Sequence, residues 1–284
     1  MVWVRVNTYG IAIWRCGIIV LVFLIDNPRS GRLHLTSEQE TIVEDRIRDN
    51  VVKRTAIYKT KHVMESLKEL RYWALMMATC MITFESGMKL YESQITRSFG
   101  FTTFQSLLLS ALVGLAECGY NLVGAYTARK TNQTMYTITC LAAIGAVGIG
   151  LMISPLPAAG KLVGQIIQTT GPSVHIMVYL VVANNVSGYT KKIFYCGSVT
   201  ACVTVGHVTG QFAMAPQFAP QYTFGIVINL ICKLLAACCL LLARWPMAKA
   251  NRERRSLLMT NEEKANYVVE DVTDVQDRRF IYRL

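Results

Sequence analysis

Between Tyr72 and Arg244 lie 173 residues that carry only 12 charged side chains, none of them an aspartate. The other 111 residues carry 35. A water-exposed domain has roughly a quarter of its residues charged, so this stretch cannot cover itself with a wet surface. It reads as a block of membrane helices between two polar segments, which excludes a soluble enzyme core. The net charge of +11 does not point to nucleic acid either. The segment from Asp26 to Arg71 holds ten Lys/Arg against eight acids, and the tail from Arg244 holds nine against seven. Neither is the dense basic patch that phosphate contacts need.

Seven apolar runs fall at about 10–25, 72–91, 104–126, 134–153, 162–185, 193–214 and 223–243. Most approach the ~20 residues that cross a bilayer as a helix. The fourth to sixth are rich in Gly, Ala, Ser and Thr, which suits close helix packing. Four units follow: a first span (1–25), a cytosolic loop with amphipathic helices (26–71), a six-helix bundle (72–244) and a cytosolic polar tail (245–284). Connections after the odd-numbered spans hold 23 Lys/Arg, and those after the even-numbered spans hold three. Cations accumulate on the cytosolic side, so the N-terminus is expected outside and the C-terminus inside. The sequons at Asn132 and Asn185 then face the cytosol and stay unmodified.

Thr36 with Gln39 and Ser37 with Glu40 read as overlapping capping boxes opening a helix to about Asp49. A second amphipathic segment, His62 to Leu70, leads into span two. The tail shows little apolar periodicity and is expected to be extended or disordered. The nine cysteines form no CxxC pair and read as reduced apolar fillers. There is no GxSxG elbow, Walker loop, HExxH or His/Cys metal spacing, so the expectation is a non-enzyme without metal or cofactor.

Polar groups at membrane depth are costly and mark candidate sites. Glu85 and Lys89, at i and i+4, read either as a substrate or proton-coupling cluster or as an ion pair along one helix near the outer headgroups. His175 follows Gly171-Pro172, which interrupts span five; such breaks free backbone groups that can line a cavity. His207 faces Gln211 at i+4, between Gly206 and Gly210 at GxxxG spacing. Asn184, Asn185, Thr190 and Lys191 sit in a segment with two amides, a glycine and two cations. That pattern fits either charge-assisted anion binding or a cytosolic helix boundary. Lys233, inside the last span, needs a partner the sequence does not name.

The segment Asn184-Asn185-Val186-Ser187-Gly188-Tyr189-Thr190-Lys191-Lys192 resembles the Asn-x-Ala-Gly-Tyr-Thr-Lys-Lys segment of fungal allantoate permease-like transporters. These are anion:cation symporters of the major facilitator superfamily. Matches in the same order include Ser98-Phe99-Gly100-Phe101, Leu107-Leu108-Leu109 with Glu117, and Ala219-Pro220-Gln221-Tyr222. The opening from Phe23-Leu24-Ile25-Asp26-Asn27-Pro28 to Leu35-Thr36 is similar to the family's inter-half loop. The tail, Glu270-Asp271-Val272-Thr273-Asp274 with Phe280, Tyr282 and Leu284, is similar to the family's closing motif. The resemblance covers about residues 14–284 and maps onto the family's sixth to twelfth spans, without the first five.

The resemblance implies an all-α polytopic membrane protein of about seven transmembrane helices, the C-terminal half of a major facilitator fold. It implies proton-coupled secondary transport of a small organic anion, allantoate- or carboxylate-like, in the plasma membrane. It also gives Glu117 a coupling or packing role. The implied partners are membrane lipid, the anion and protons, together with a complementary N-terminal half or self-association. The other reading is a transport-inactive half-transporter or membrane scaffold. Two departures stand out. Thr83-Phe84-Glu85-Ser86-Gly87 replaces an Ile-Pro-Asn-Gly-Gly-like turn, and Gly206-His207-Val208-Thr209-Gly210-Gln211 replaces Gly-Asn-x-x-Gly-Pro. The family's substrate specificity is therefore not carried over.

Overall fold

The computed structural model describes residues 18, 36, 38–40, 58–214, 222–260, 272–277 and 279–284. The chain divides into two units, residues 1–52 and 53–284. In the first, Ile18 is helical, and the Thr36 N–H donates to Gln39 Oε1 at 3.1 Å. That is one half of the expected capping box. The rest of span one, the helix to Asp49 and residues Ala219 to Gln221 lie outside the described residues.

The second unit is helical: α1 (Thr60–Lys68), α2 (Leu70–Thr83), α3 (Ser86–Leu90), α4 (Glu92–Ser98), α5 (Thr103–Thr131), α6 (Thr134–Ile153), α7 (Ala158–Gln168), α8 (Gly171–Asn185), α9 (Tyr189–Ala213) and α10 (Thr223–Thr260). α1 is the expected amphipathic segment, with His62 and Ser66 buried. α5 opens on a complete capping box, Thr102 with Gln105, and closes at Asn132 in the left-handed region at φ 53°. Asparagine tolerates that conformation better than most residues. Five helical stretches are long and apolar enough to cross a membrane: Thr103–Thr131, Thr134–Ile153, Ala158–Asn185, Tyr189–Ala213 and Thr223–Ser256.

Two expected spans are not single rods. Span two breaks at Phe84 and again at Tyr91, giving α2, α3 and α4. Span five breaks at Thr169–Thr170, where Gly171-Pro172 opens α8. Proline fits the first turn of a helix because its missing N–H would be unpaired there anyway.

The bundle packs around α2, which contacts α8, α9 and α10, while α6 lies against α7, α8 and α10. One apolar cluster includes Leu75, Ile138, Val178, Val182, Tyr195 and Leu240. A second joins Met88, Ile95, Ile149, Met152, Met214 and Ile226. α5 buries only Ser106, Val113, Gly124 and Ala128. Leu107, Leu108, Leu115 and Leu122 stay exposed, as lipid-facing side chains do.

The tail departs from its expectation. α10 continues to Thr260 where an extended or disordered chain was expected, while residues 272–277 and 279–284 are non-helical and lie against the bundle. Periodicity gave no sign of this because the tail docks through carbonyls, amides and one buried carboxylate.

Candidate functional site

A close helix approach in the bundle builds the site. A Cβ on Gly87 would lie 2.1 Å from the Gly210 carbonyl oxygen, and one on Gly210 would lie 2.1 Å from the Phe84 carbonyl oxygen. Only bare backbones meet at that distance, as the GxxxG spacing predicts. This contact brings His207 and Gln211 beside the break in span two, where Ser86 Oγ donates to the His207 carbonyl at 3.1 Å. α5 and the start of α8 close the other sides. The result is a cavity of about 430 Å³.

Six of the ten residues picked from the sequence line it: Glu85, Lys89, Glu117, His175, His207 and Gln211. The charges pair differently from the i, i+4 reading. Lys89 binds Glu117 on α5. Glu85 turns inward, its Oε2 lying 2.7 Å from Lys233 Nζ as an ion pair. Helical spacing allowed a Glu85–Lys89 pair, but Glu85 is buried and Lys89 is half exposed, so each meets a different helix.

Lys233 is the residue whose partner the sequence left unnamed. It is 1% exposed and also donates to the Gln168 carbonyl, which the break in span five frees. Two glycines make room for this pair. A Cβ on Gly171 would lie 2.0 Å from Glu85 Oε1, and one on Gly145 would lie 2.6 Å from Lys233 Nζ. Thr170 Oγ1, Ser173 Oγ and Asn229 Oδ1 are buried without a hydrogen-bond partner, as is His175 Nε2. The run Gln168-Thr169-Thr170 ahead of Gly171-Pro172 was the available sequence signal for this polar pocket. Among the described residues, no group of three or more His, Cys, Asp or Glu side chains is placed to hold a metal ion.

Asn184, Asn185, Thr190 and Lys191 are not at the cavity; they lie at the opposite ends of α8 and α9. The Lys191 ammonium is fully buried, 2.8 Å from Glu65 Oε1 and 3.1 Å from Asp274 Oδ1, and also bound to Glu69. Arg71 bridges Glu69 and Asp274 and donates to the Asn185 carbonyl at 3.2 Å. Thr190 Oγ1 accepts from the Lys59 N–H at 3.1 Å. Asn185 clamps the tail, donating to the Arg283 carbonyl at 2.9 Å and accepting its N–H at 2.7 Å. Asn251 does the same to Tyr282, with both bonds at 2.8 Å.

Burial alone would push the Asp274 carboxyl up. The charges of Arg71 and Lys191 and the Tyr282 hydroxyl outweigh it and hold the group below the ordinary carboxylate range. Glu65 behaves the same way, with burial opposed chiefly by Lys191. This second cluster, three carboxylates against two cations, is a latch between helix ends and tail. Arg71, Glu65 and Glu69 were not among the candidates because their partners, Lys191 and Asp274, stand more than 100 residues away along the chain.

Comparison with known proteins agrees with this architecture. No family model matches the chain, and no solved structure does. An uncharacterized transporter of Schizosaccharomyces pombe, C757.13, is 26% identical over 93% of the chain and 52% of its own length. The MFS-type transporter cnsL of Penicillium expansum is 23% identical over 93% of the chain and 56% of its own. The fold is an all-helical bundle with membrane-length helices, and relatives named as transporters match it over about half of their own length. The thiamine pathway transporter THI73 of Saccharomyces cerevisiae extends the likeness, at 23% identity over 94% of the chain and 51% of its own length. The chain thus spans about half the length of the relatives it matches. The cavity opens between α2–α3, α5, α8 and α9, while Gly145 on α6 and Lys233 on α10 lie behind it.

Proposed function

We propose that the chain supplies one bundle of a proton-coupled secondary transporter for a small organic anion, with the anion held in the cavity at the break in span two. The observation that carries this reading is the Lys89–Glu117 pair on the cavity wall. An entering carboxylate competes with Glu117 for the Lys89 ammonium. A proton on Glu117 removes the competitor, so anion and proton bind together and the site stays charge-balanced. The inner Glu85–Lys233 pair, with His175, His207 and Gln211, supplies the remaining polar contacts.

A second bundle, contributed by a complementary chain or a second copy, faces the open side of the cavity and rocks against this one. Alternating access around a midplane site with interrupted helices is how such transporters work. The protein belongs in the plasma membrane, with its N-terminus outside and its C-terminus in the cytosol.

The test is uptake by cells that lack transport of ureides and related organic anions. The full chain is co-expressed with the first half of an allantoate permease-like relative. Saturable uptake that a protonophore abolishes is expected, and the lone chain should give none, since its polar wall would face lipid. Lys89→Gln should weaken apparent affinity by about 10–150-fold, the loss of one charge-assisted contact of about 1.5–3 kcal/mol. Uptake with unchanged affinity in Lys89→Gln would place the anion elsewhere.

A further inference from the structure

Away from the transport cavity, a groove of about 580 Å³ runs along α10 where that helix leaves its most apolar stretch. Leu241, Arg244, Trp245, Ala248, Lys249 and Arg252 line it at three- and four-residue spacing, so they form one stripe of the helix. Apolar character gives way to charge along that stripe. Leu241 is at its apolar end, and Trp245, 62% exposed, is at the position of an interfacial aromatic. Lys249 and Arg252 follow about 6 and 10 Å further along the axis at 1.5 Å per residue. Lys249 thus falls within a headgroup layer of about 5–8 Å, and Arg252 at its outer edge.

From these residues we propose that the groove binds the headgroup of an anionic phospholipid in the leaflet where α10 emerges. By the distribution of cations along the chain, that is the cytosolic leaflet. Arg244 is already oriented for it. Its guanidinium stacks over the Tyr136 ring at 3.7 Å, and Nη2 donates to Gln133 Oε1 at 3.1 Å. Its Nε is buried and has no hydrogen-bond partner. A buried N–H on a guanidinium is costly to leave unpaired, and a phosphate oxygen satisfies it with a charge-assisted bond.

Lys249 and Arg252 are exposed and make no ion pair among the described residues. Among the described residues Glu253 is the one acid lining the groove, so three cations face one anion there. Phosphatidylcholine carries its own cation beyond the phosphate, and this excess disfavours it. Phosphatidylserine and phosphatidylinositol carry net negative charge, and basic pockets at cytosolic helix ends select such headgroups. Trp245 and Leu241 meet the glycerol and upper acyl region, which a soluble phosphate lacks.

The experiment is lipid retention by the purified full chain in detergent, read by native mass spectrometry. Phosphatidylserine is titrated against phosphatidylcholine of the same acyl chains. Retention of phosphatidylserine is expected at about tenfold preference, falling about tenfold in the double variant Lys249→Gln/Arg252→Gln. Both positions are exposed, so the fold is left alone. Arg129→Gln/Lys130→Gln removes two exposed cations elsewhere and should leave retention unchanged. Equal retention of the two lipids, or loss equally severe in the control variant, would overturn the proposal. Displacement of the lipid by a large excess of inorganic phosphate would also overturn it, because the groove would then be a soluble-anion site.

Discussion

Two adjacent lysines, Lys191 and Lys192, show how far surroundings decide what a residue does. One residue along a helix is a turn of about 100°. That turn puts Lys191 among Glu65, Glu69 and Asp274 with no exposure, while Lys192 donates to the Ala183 carbonyl at 2.8 Å at the partly exposed rim. Removing one partner of a buried charge network leaves the others uncompensated, at about 3–5 kcal/mol. A rim lysine contributes at most about 1 kcal/mol. Lys191→Gln should therefore lower protein level and melting temperature sharply, while Lys192→Gln leaves both nearly unchanged; equal effects would contradict the buried network. The sequence left site and boundary both open for this segment. Composition could not separate them, because the three carboxylates come from α1, the α1–α2 junction and a tail more than 80 residues away.

Among elements, the contact of α9 with the break in span two sets the shape of the cavity. GxxxG spacing made one side of it legible in the sequence, and the Gly171-Pro172 interruption of span five was legible for the same reason: both are local rules. The resemblance marks a turn at Thr83-Phe84-Glu85-Ser86-Gly87, but without that turn's proline no local rule places the break there; Gly87 and Gly210 interlock across it. The exchange of charge partners, Lys89 to Glu117 and Glu85 to Lys233, was hidden for a related reason: it joins residues on different helices, which spacing along one helix cannot rank. The interlock has a direct consequence. Gly210→Ala drives a Cβ to 2.1 Å from the backbone oxygen of Phe84, which cannot rotate away, and overpacking of this kind costs about 1–3 kcal/mol. Gly197, on the same helix, is exposed, with nothing within 4 Å of an added Cβ. Gly197→Ala should gain up to about 1 kcal/mol of helix propensity. Thermal melts of the full chain in detergent should thus move in opposite directions for the two variants, and a shared direction would remove the interlock as the cause.

At the scale of the whole molecule, the cavity and the latch stand at opposite ends of the same helices. α2 carries Arg71 at one end and leads to Glu85 at the other; α9 carries Lys191 at one end and His207 and Gln211 near the other. The tail joins them, with Asp274 reaching both Arg71 and Lys191 and Asn251 holding Tyr282 against α10. Resemblance of the closing residues to a family motif flagged this tail, yet its composition argued for disorder. One buried carboxylate, two amide clamps and the Arg254 guanidinium on the Phe280 and Asp274 carbonyls fix it, and such contacts leave no period to read. The latch must respond to acid, and the sign follows from Asp274. Its folded-state pKa lies below the usual 3.8 because Arg71 and Lys191 outweigh burial. A group depressed on folding stabilises the protein above its unfolded pKa, and that contribution is lost as pH falls through the folded value. Melting temperature should therefore stay level in this respect from pH 7 to about 5 and begin to fall below about pH 4. Asp274→Asn should start lower at pH 7, because Arg71 and Lys191 lose an anion, and should show a shallower fall in acid. Paired melts of the two chains across the pH range read the difference. If their acid limbs run parallel, Asp274 is not the group that acid titrates.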